Sequence, residues 1–253
     1  MTSKLIVALD FDNQINALKL IDSIEPASCA LKVGSEMFTH FGNPFIKQLI
    51  ARNFNVFLDL KFHDIPNTVA NACKAAADLG VWMMNVHASG GLHMMQAAKK
   101  ALESYGNNGP ILIAVTVLTS LSEMELTSIG INSSLLDQVK KLALLAKQAG
   151  LDGVVSSAYE VKSIKEECGA RFITVTPGIR PTTSNKNDQT RVVTPKDAVI
   201  LGSDYLVIGR PITEALDPAA VITEIHGSIN QGSAYDVSTT STKPASKNRY
   251  QQF

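Results

Sequence analysis

The sequence predicts one α/β domain folded as a (β/α)8 TIM barrel, and three observations support that prediction. Eight short apolar runs alternate with segments whose apolar residues have helical spacing, at roughly 30 residues per unit. The runs are mostly apolar on both faces, as is typical of parallel strands covered by helices. The first run is followed by D-F-D-N rather than by G-x-G-x-x-G, which disfavours a doubly wound sheet.

The elements follow one another along most of the chain. The eight predicted strands are residues 5–10, 29–34, 55–62, 82–88, 111–118, 152–158, 171–177 and 205–210. Helical spacing is clearest in residues 67–79, 91–103 and 135–148. Two connections are long and polar, 119–132 after the fifth strand and 178–193 after the seventh. The second lacks periodicity, and we expect a mobile loop or lid there.

The barrel is expected to occupy residues 1–230, because the composition changes after that point. Residues 231–253 are rich in Ser, Thr, Lys and Gln and have too little apolar content to fold alone. We therefore expect a disordered tail outside the barrel.

Composition and charge limit the partners and the compartment. The 253 residues include 23 basic and 23 acidic side chains, so no net charge attracts nucleic acid or an anionic membrane. Three scattered cysteines indicate reduced thiols. The N-terminal apolar run, residues 5–9, is too short for a signal peptide or a membrane span. These features predict a cytoplasmic protein that binds neither nucleic acid nor a membrane.

The strand L-D-L-K-F carries the strongest chemical signal. Side chains alternate along a strand, so Asp59 and Lys61 share one face while the two leucines pack against the helices. A structural salt bridge is one interpretation of such a pair. Its place at a strand C-terminus favours a catalytic site, because that end of the strands carries function in this fold. Asp64 follows three residues later and could join the site, cap the helix that begins at Ile65-Pro66, or do both with its two oxygens.

Two further charges end neighbouring strands. Asp10 closes the first strand and Lys32 lies near the end of the second, so four charges of alternating sign are expected at one end of three successive strands. Such an array suits a small anionic substrate, and four solvated rim residues are the less favoured alternative.

The loops after strands seven and eight predict a phosphate site. T-P-G-I-R ends strand seven and I-G-R-P ends strand eight, at the recurrent phosphate position of these barrels. Gly209 permits close backbone approach, while Arg180 and Arg210 offer guanidinium groups to phosphate oxygens. Two solvated surface arginines are the alternative.

Other catalytic chemistries have weaker support. The five histidines show no H-x-x-x-H spacing, so we expect no zinc site. His63 and His87 are interpreted as supporting residues near the site. No serine or cysteine stands in a nucleophile elbow.

Seven segments together resemble the orotidine 5′-phosphate decarboxylase family. They are L-I-V-A-L-D (5–10), L-K-V-G (31–34), D-L-K-F-H-D-I-P-N-T (59–68), V-T-V-L-T-S (115–120), T-P-G-I-R (176–180), D-Q-T-R (188–191) and V-I-G-R-P (207–211). D-x-K-x-x-D alone also occurs in related sugar-phosphate barrels, but the combination is highly specific. The resemblance extends to about residue 226.

The resemblance implies a homodimeric enzyme, without a cofactor or metal, that decarboxylates orotidine 5′-phosphate to uridine 5′-phosphate. It implies that Lys61 protonates C6 of the pyrimidine and that Asp59 lies against the departing carboxylate. Lys32 would orient Asp59, and Asp64 would act from the neighbouring subunit. The residues expected to contact substrate are Asp10, Lys32 and Thr68 at the ribose, Thr119 at the base, Pro177 at the pocket wall, and Arg180, Gln189, Gly209 and Arg210 at the phosphate.

Two alternatives remain at this point. The first is a magnesium-dependent keto-sugar-phosphate decarboxylase or aldolase of the same superfamily. Such relatives usually carry an acidic metal ligand where this chain has Lys32, and they lack D-Q-T-R. The second is a non-catalytic barrel that binds a phosphate ligand, which the three clustered charges at residues 59, 61 and 64 disfavour.

Overall fold

Eight parallel strands close into a barrel in the computed structural model, which describes residues 3–181 and 193–240. Each strand pairs with the next in the sequence, and the eighth pairs with the first. The strands are β1 (Leu5–Leu9), β2 (Ala30–Gly34), β3 (Val56–Phe62), β4 (Met83–His87), β5 (Ile111–Val115), β6 (Gly153–Val155), β7 (Ile173–Thr176) and β8 (Tyr205–Ile208). The predicted fold class and all eight predicted strands are confirmed.

Helices cover the outside of the barrel. They are α1 (Gln14–Asp22), α2 (Ser35–Ala51), α3 (Pro66–Asp78), α4 (Leu92–Ala101), α5 (Glu123–Ser128), α6 (Leu135–Gln148), α7 (Val161–Cys168), α8 (Pro195–Ile200), α9 (Arg210–Thr213) and α10 (Pro218–Thr240). The short helix α5 lies inside the connection 119–132 and was not predicted. Its signal was present, because Ser122 and Glu125 form a capping box at its start.

Two apolar layers hold the fold together. The outer layer lies between strands and helices and contains alternate strand residues such as Leu31, Leu58 and Met84. The inner layer fills the barrel and contains Ile6, Ala8, Ala30, Phe57, Met83, Ile113, Val175 and Val207. Because strand side chains alternate, the next inward positions lie above this inner layer, at the C-terminal mouth. The charged residues of β1 to β3 occupy those positions.

The last helix, α10, continues past the predicted domain boundary at residue 230. Ile222, Ile225 and Ile229 are buried, and His226 Nε2 lies 2.7 Å from the carbonyl oxygen of Ser28. Gly232 packs so closely on α8 that a Cβ there would lie 2.7 Å from the Lys196 carbonyl oxygen. Gly232 therefore allows α10 to pack closely against α8 just beyond that boundary. Residues 231–240 are thus helical, while 241–253, the rest of the segment expected to be disordered, lie outside the described residues.

Candidate active site

Four charged side chains meet at the barrel mouth as predicted. Lys32 Nζ lies 3.4 Å from a carboxylate oxygen of Asp10 and 3.4 Å from one of Asp59. Lys61 Nζ lies 2.8 Å from the other oxygen of Asp59. Carboxylate and ammonium groups therefore alternate across the ends of β1, β2 and β3, in the order Asp10, Lys32, Asp59, Lys61.

Asp59 is the most buried member of this array, at 8% exposure. Burial alone raises the pKa of its carboxyl group. The charges of Lys32 and Lys61, with hydrogen bonds from Lys61 and Asn85, outweigh burial and place the pKa below its ordinary value. Asp59 is consequently an anion at neutral pH. It fixes the Lys61 ammonium at the mouth, where that side chain is 34% exposed.

The backbone of β3 is irregular at Lys61. Leu58 pairs with Met84 and Phe62 with Val86, so three residues of β3 lie opposite Asn85 alone. Lys61 itself has φ +53°, in the left-handed region that a side chain with a Cβ rarely adopts. Bulges of this kind bend a strand and redirect a side chain, often beside active sites. Here the bulge allows Asp59 and Lys61 to meet closely at the mouth.

Asn85 is the site residue that the sequence analysis missed. It lies in β4, is fully buried and hydrogen-bonds both Asp59 and the backbone of Lys61. The available signal was an amide within the apolar strand M-M-N-V-H, two residues before His87 and therefore on the same inward face.

The two histidines lie next to each other beside the array. The ring centroids of His63 and His87 are 5.5 Å apart, with the ring planes 37° from parallel. Burial lowers the pKa of His87, and His63 and Lys61 lower it further against the opposing effect of Asp59. The His87 imidazole is therefore neutral at pH 7, so it adds no third cation to the mouth.

Asp64, Thr68 and Thr119 lie on the exposed rim. One carboxylate oxygen of Asp64 accepts a hydrogen bond from the backbone N–H of Ile65 at 2.6 Å. Asp64 forms no salt bridge with any other residue that the structure describes. The N-cap of α3 is Ile65, so the interpretation of Asp64 as the cap is wrong. The reason is Pro66, whose preference for the first helical position places the cap at residue 65.

The predicted phosphate residues stand at the ends of β7 and β8. Arg180 is buried at 7% exposure, and its backbone N–H donates to the carbonyl oxygen of Val193 at 3.0 Å. Arg210 is exposed and begins α9. Pro177 is partly buried directly after β7. Gln189, and residues 182–192 of the expected lid, lie outside the described residues.

Gly209 connects this phosphate side with the charged array. A Cβ at this position would lie 3.4 Å from the Ala8 Cβ and 3.7 Å from a carboxylate oxygen of Asp10. The end of β8 thus lies against the end of β1, as barrel closure requires. A ligand bound at the mouth can therefore contact the array with one end and the loops after β7 and β8 with the other.

Neither a metal cluster nor a membrane helix occurs in residues 3–181 and 193–240. No group of three or more His, Cys, Asp or Glu side chains in these ranges is placed to hold a metal ion. No helix there has the length and apolar character needed to cross a bilayer.

Comparison with known proteins gives consistent matches over most of the chain. Residues 3–225 match the model of the orotidine 5′-phosphate decarboxylase / HUMPS family. Orotidine 5′-phosphate decarboxylase from Legionella pneumophila strain Corby is 64% identical over 225 residues, covering 89% of this chain and 98% of its own. The Haemophilus influenzae strain Rd enzyme of the same name is 60% identical over 229 residues, covering 90% and 100%.

A solved structure agrees with these sequence matches. The crystal structure of orotidine 5′-phosphate decarboxylase from Lactobacillus acidophilus superimposes with a TM-score of 0.80 at 42% identity. It covers 89% of this chain and 98% of that one.

Proposed function

Because this chain belongs to the orotidine 5′-phosphate decarboxylase / HUMPS family, we propose that it converts orotidine 5′-phosphate to uridine 5′-phosphate and CO2. This reaction is the last step of de novo UMP synthesis. The observation that carries the proposal is the Lys61 ammonium held 2.8 Å from the buried carboxylate of Asp59, at the end of a four-charge array. Relatives at about 60% identity that carry the decarboxylase name support the same substrate.

The residue types fit the chemistry. Breaking the bond between C6 and the carboxylate releases CO2 and leaves its electron pair on C6, in the plane of the ring where the π system cannot delocalise it. A fixed ammonium stabilises that developing charge and then supplies the proton that C6 needs. We assign this role to Lys61, with Asp59 beside the departing carboxylate. Because its pKa is lowered, the Asp59 side chain itself stays negatively charged throughout the reaction.

The remaining residues are proposed to bind and align the nucleotide. Lys32, which lies 3.4 Å from carboxylate oxygens of Asp10 and Asp59, is proposed to orient Asp59 and the ribose. Thr119 is proposed at the base and Pro177 at the pocket wall. Arg180, Gln189, Gly209 and Arg210 are proposed to hold the phosphate. Binding energy from the phosphate end can then contribute to alignment at C6.

The position of Lys32 also argues against the magnesium-dependent alternative. Its ammonium lies 3.4 Å from each of two carboxylates, Asp10 and Asp59, and so fills the place that a cation between them would take. We therefore propose turnover without a metal or an organic cofactor.

The test is turnover of orotidine 5′-phosphate by purified protein, followed by the loss of substrate absorbance and by the formation of uridine 5′-phosphate. We expect the same rate with and without EDTA. Activity that disappears with EDTA and returns with magnesium would favour the keto-sugar alternative. Nucleotide binding without turnover would favour the non-catalytic barrel.

We further propose a homodimer in which Asp64 acts in the partner's site. Asp64 and Thr68 are exposed beside Ile65, a large apolar side chain that is 66% exposed in the isolated chain. In a two-fold dimer the same patch serves both partners, so each mouth would receive the other chain's Asp64. This arrangement would cover Ile65 and bring a further carboxylate to Lys61.

Mixing two inactive variants tests the shared site. When Lys61→Ala and Asp64→Ala subunits exchange at random, half of the dimers are mixed and each mixed dimer has one intact site, so about a quarter of all sites should recover. The matched control mixes Lys61→Ala with Asp59→Asn, two residues of one chain's own site, and should recover none. With exchange verified independently, equal results in both mixtures would place Asp64 in its own chain's site.

A cytosolic location is proposed from the cysteines. Cys29, Cys73 and Cys168 are all free and buried. Burial raises the pKa of the Cys29 thiol to about 11 and that of Cys73 to about 12. Such thiols remain protonated and unreactive, and they fit a reducing compartment.

A further inference from the structure

Asn85 lies beside the charged array, in the centre of β4 and opposite the stretch from Asp59 to Lys61 in β3. Its neighbour on the inward face is Met83, part of the apolar layer that fills the barrel, and Asn85 is itself fully buried. A buried amide costs free energy unless its polar atoms are hydrogen-bonded, so its two partners account for its presence in an apolar strand.

Among the described residues, both side-chain hydrogen bonds of Asn85 go to the residues proposed to perform the reaction. Its Nδ2 donates to Asp59 Oδ1 at 2.7 Å, and its Oδ1 accepts from the backbone N–H of Lys61 at 2.8 Å. A carboxylate can only accept and a backbone N–H can only donate, so the orientation of the amide is determined. A flipped amide would place its oxygen against the Asp59 carboxylate and its NH2 group against the Lys61 N–H, and neither hydrogen bond could form.

The second bond compensates for the bulge in β3. Because Asp59, Leu60 and Lys61 lie opposite a single residue of β4, the regular strand pairing is interrupted there. The side chain of Asn85 supplies an acceptor for the Lys61 N–H at that interruption. The left-handed conformation of Lys61 needs such support, since unfavourable backbone geometry persists only where the surroundings fix it.

The contacts form a closed ring. Asn85 bonds the backbone of Lys61 and the Oδ1 atom of Asp59, and that same Oδ1 atom lies 2.8 Å from Lys61 Nζ. We propose that Asn85 is a positioning residue, which fixes the carboxylate of Asp59 and the backbone of Lys61 so that the ammonium is aimed at C6. This proposal rests on the proposed decarboxylation.

The first test compares the parent with Asn85→Leu, which has a similar shape but cannot hydrogen-bond. We expect kcat to fall by about a hundredfold, the effect of misplacing a reacting group by roughly 1 Å. The dissociation constant of uridine 5′-phosphate should change by less than about threefold, because Asn85 is on β4, which stands opposite β8 and its Arg210 in the closed barrel. A folded variant with kcat within about threefold of an active parent would overturn the proposal, whereas an inactive parent would overturn the proposed function instead.

A matched control distinguishes positioning from general stability. Thr174 is also a fully buried polar strand residue, and its Oγ1 bonds Asp204 Oδ2 at 3.0 Å outside the mouth. Thr174→Val should lower the melting temperature and leave kcat unchanged. If Thr174→Val and Asn85→Leu reduce kcat equally, loss of stability explains both and Asn85 has no positioning role.

The conservative variant Asn85→Asp supplies a pH readout. The new carboxyl would lie against Asp59, which favours retention of one proton, and in that form it could donate to Asp59 and accept from Lys61. The charged and titratable groups around it are Lys32, Asp59, Lys61, His63 and His87. The kcat of this variant relative to the parent should rise at least fivefold as the pH falls from about 8 to 6. A constant ratio over that range would overturn the proposal, and this measurement decides it if Asn85→Leu does not fold.

Discussion

Replacing Lys61 by glycine should leave the protein more stable than replacing it by alanine. Both variants lose the same ammonium group and the same contact with Asp59, so they differ only by a Cβ at a residue whose φ is +53°. A residue with a Cβ costs about 1–2 kcal/mol in the left-handed region. Glycine loses about 0.4–1 kcal/mol of that advantage because it makes the unfolded chain more flexible.

The net difference is about 1 kcal/mol in favour of glycine, which corresponds to about 2–4 °C in melting temperature for a chain of this size. The assay is thermal or urea unfolding of the two variants without ligand, at equal protein concentration because association also stabilises. Two further pairs of variants serve as controls. Asn53 is exposed and has φ +65°, so the Asn53→Gly variant should also be more stable than Asn53→Ala. Lys47 is exposed within α2, so Lys47→Ala should be more stable than Lys47→Gly by about 1 kcal/mol.

If Lys61→Ala is as stable as Lys61→Gly while both control pairs behave as expected, Lys61 does not carry backbone strain. In that case, the bulge in β3 would not contribute to the orientation of the Lys61 side chain.

Three other predictions concern the site. Lys61→Ala should lower kcat and kcat/KM together by several orders of magnitude, while binding of uridine 5′-phosphate stays measurable. If steady-state kinetics give a kcat within about tenfold of the parent, a difference of only ~1.4 kcal/mol, Lys61 is not the proton donor. Arg210→Ala should weaken uridine 5′-phosphate by about ten- to a hundredfold in calorimetric titrations and leave uridine unaffected, and equal losses would place Arg210 outside the phosphate site. The carboxylate of Asp59 has a lowered pKa, so its contribution to stability is complete above its ordinary pKa and is lost as the pH falls through the lower folded value. The stability advantage of the parent over Asp59→Asn, measured by urea unfolding, should therefore shrink as the pH falls from about 5 to 3, and a constant advantage would contradict the lowered pKa.

The sequence was sufficient to predict the barrel and the four-charge array. Apolar runs of strand length located all eight strands, and the alternation of side chains placed Asp59 and Lys61 on one face. Asp10 and Lys32 followed because parallel strands end at the same edge. These inferences need only local periodicity and one general property of the fold.

What the sequence did not predict depends on how strands pair. The left-handed Lys61 and the contacts of Asn85 with Asp59 and Lys61 both arise from a register shift between β3 and β4, which neither strand shows alone. The alternative that Asp64 caps α3 was wrong, since Pro66 places the helix cap at Ile65. The capping box at Ser122 and Glu125 was also readable, but its helix has only six residues and little apolar periodicity.

The packed interior of the barrel has a consequence for the order of events. Ile6, Phe57 and Met83 close the space beneath Asp59, so a nucleotide seated on the array reaches solvent only through the mouth by which it entered. Under the proposed reaction, CO2 is released at the inner end of the bound ligand, and the product nucleotide lies between it and the exit. Both products and the next substrate molecule must therefore pass through the same opening, and the release of one product affects the release of the other and the binding of new substrate.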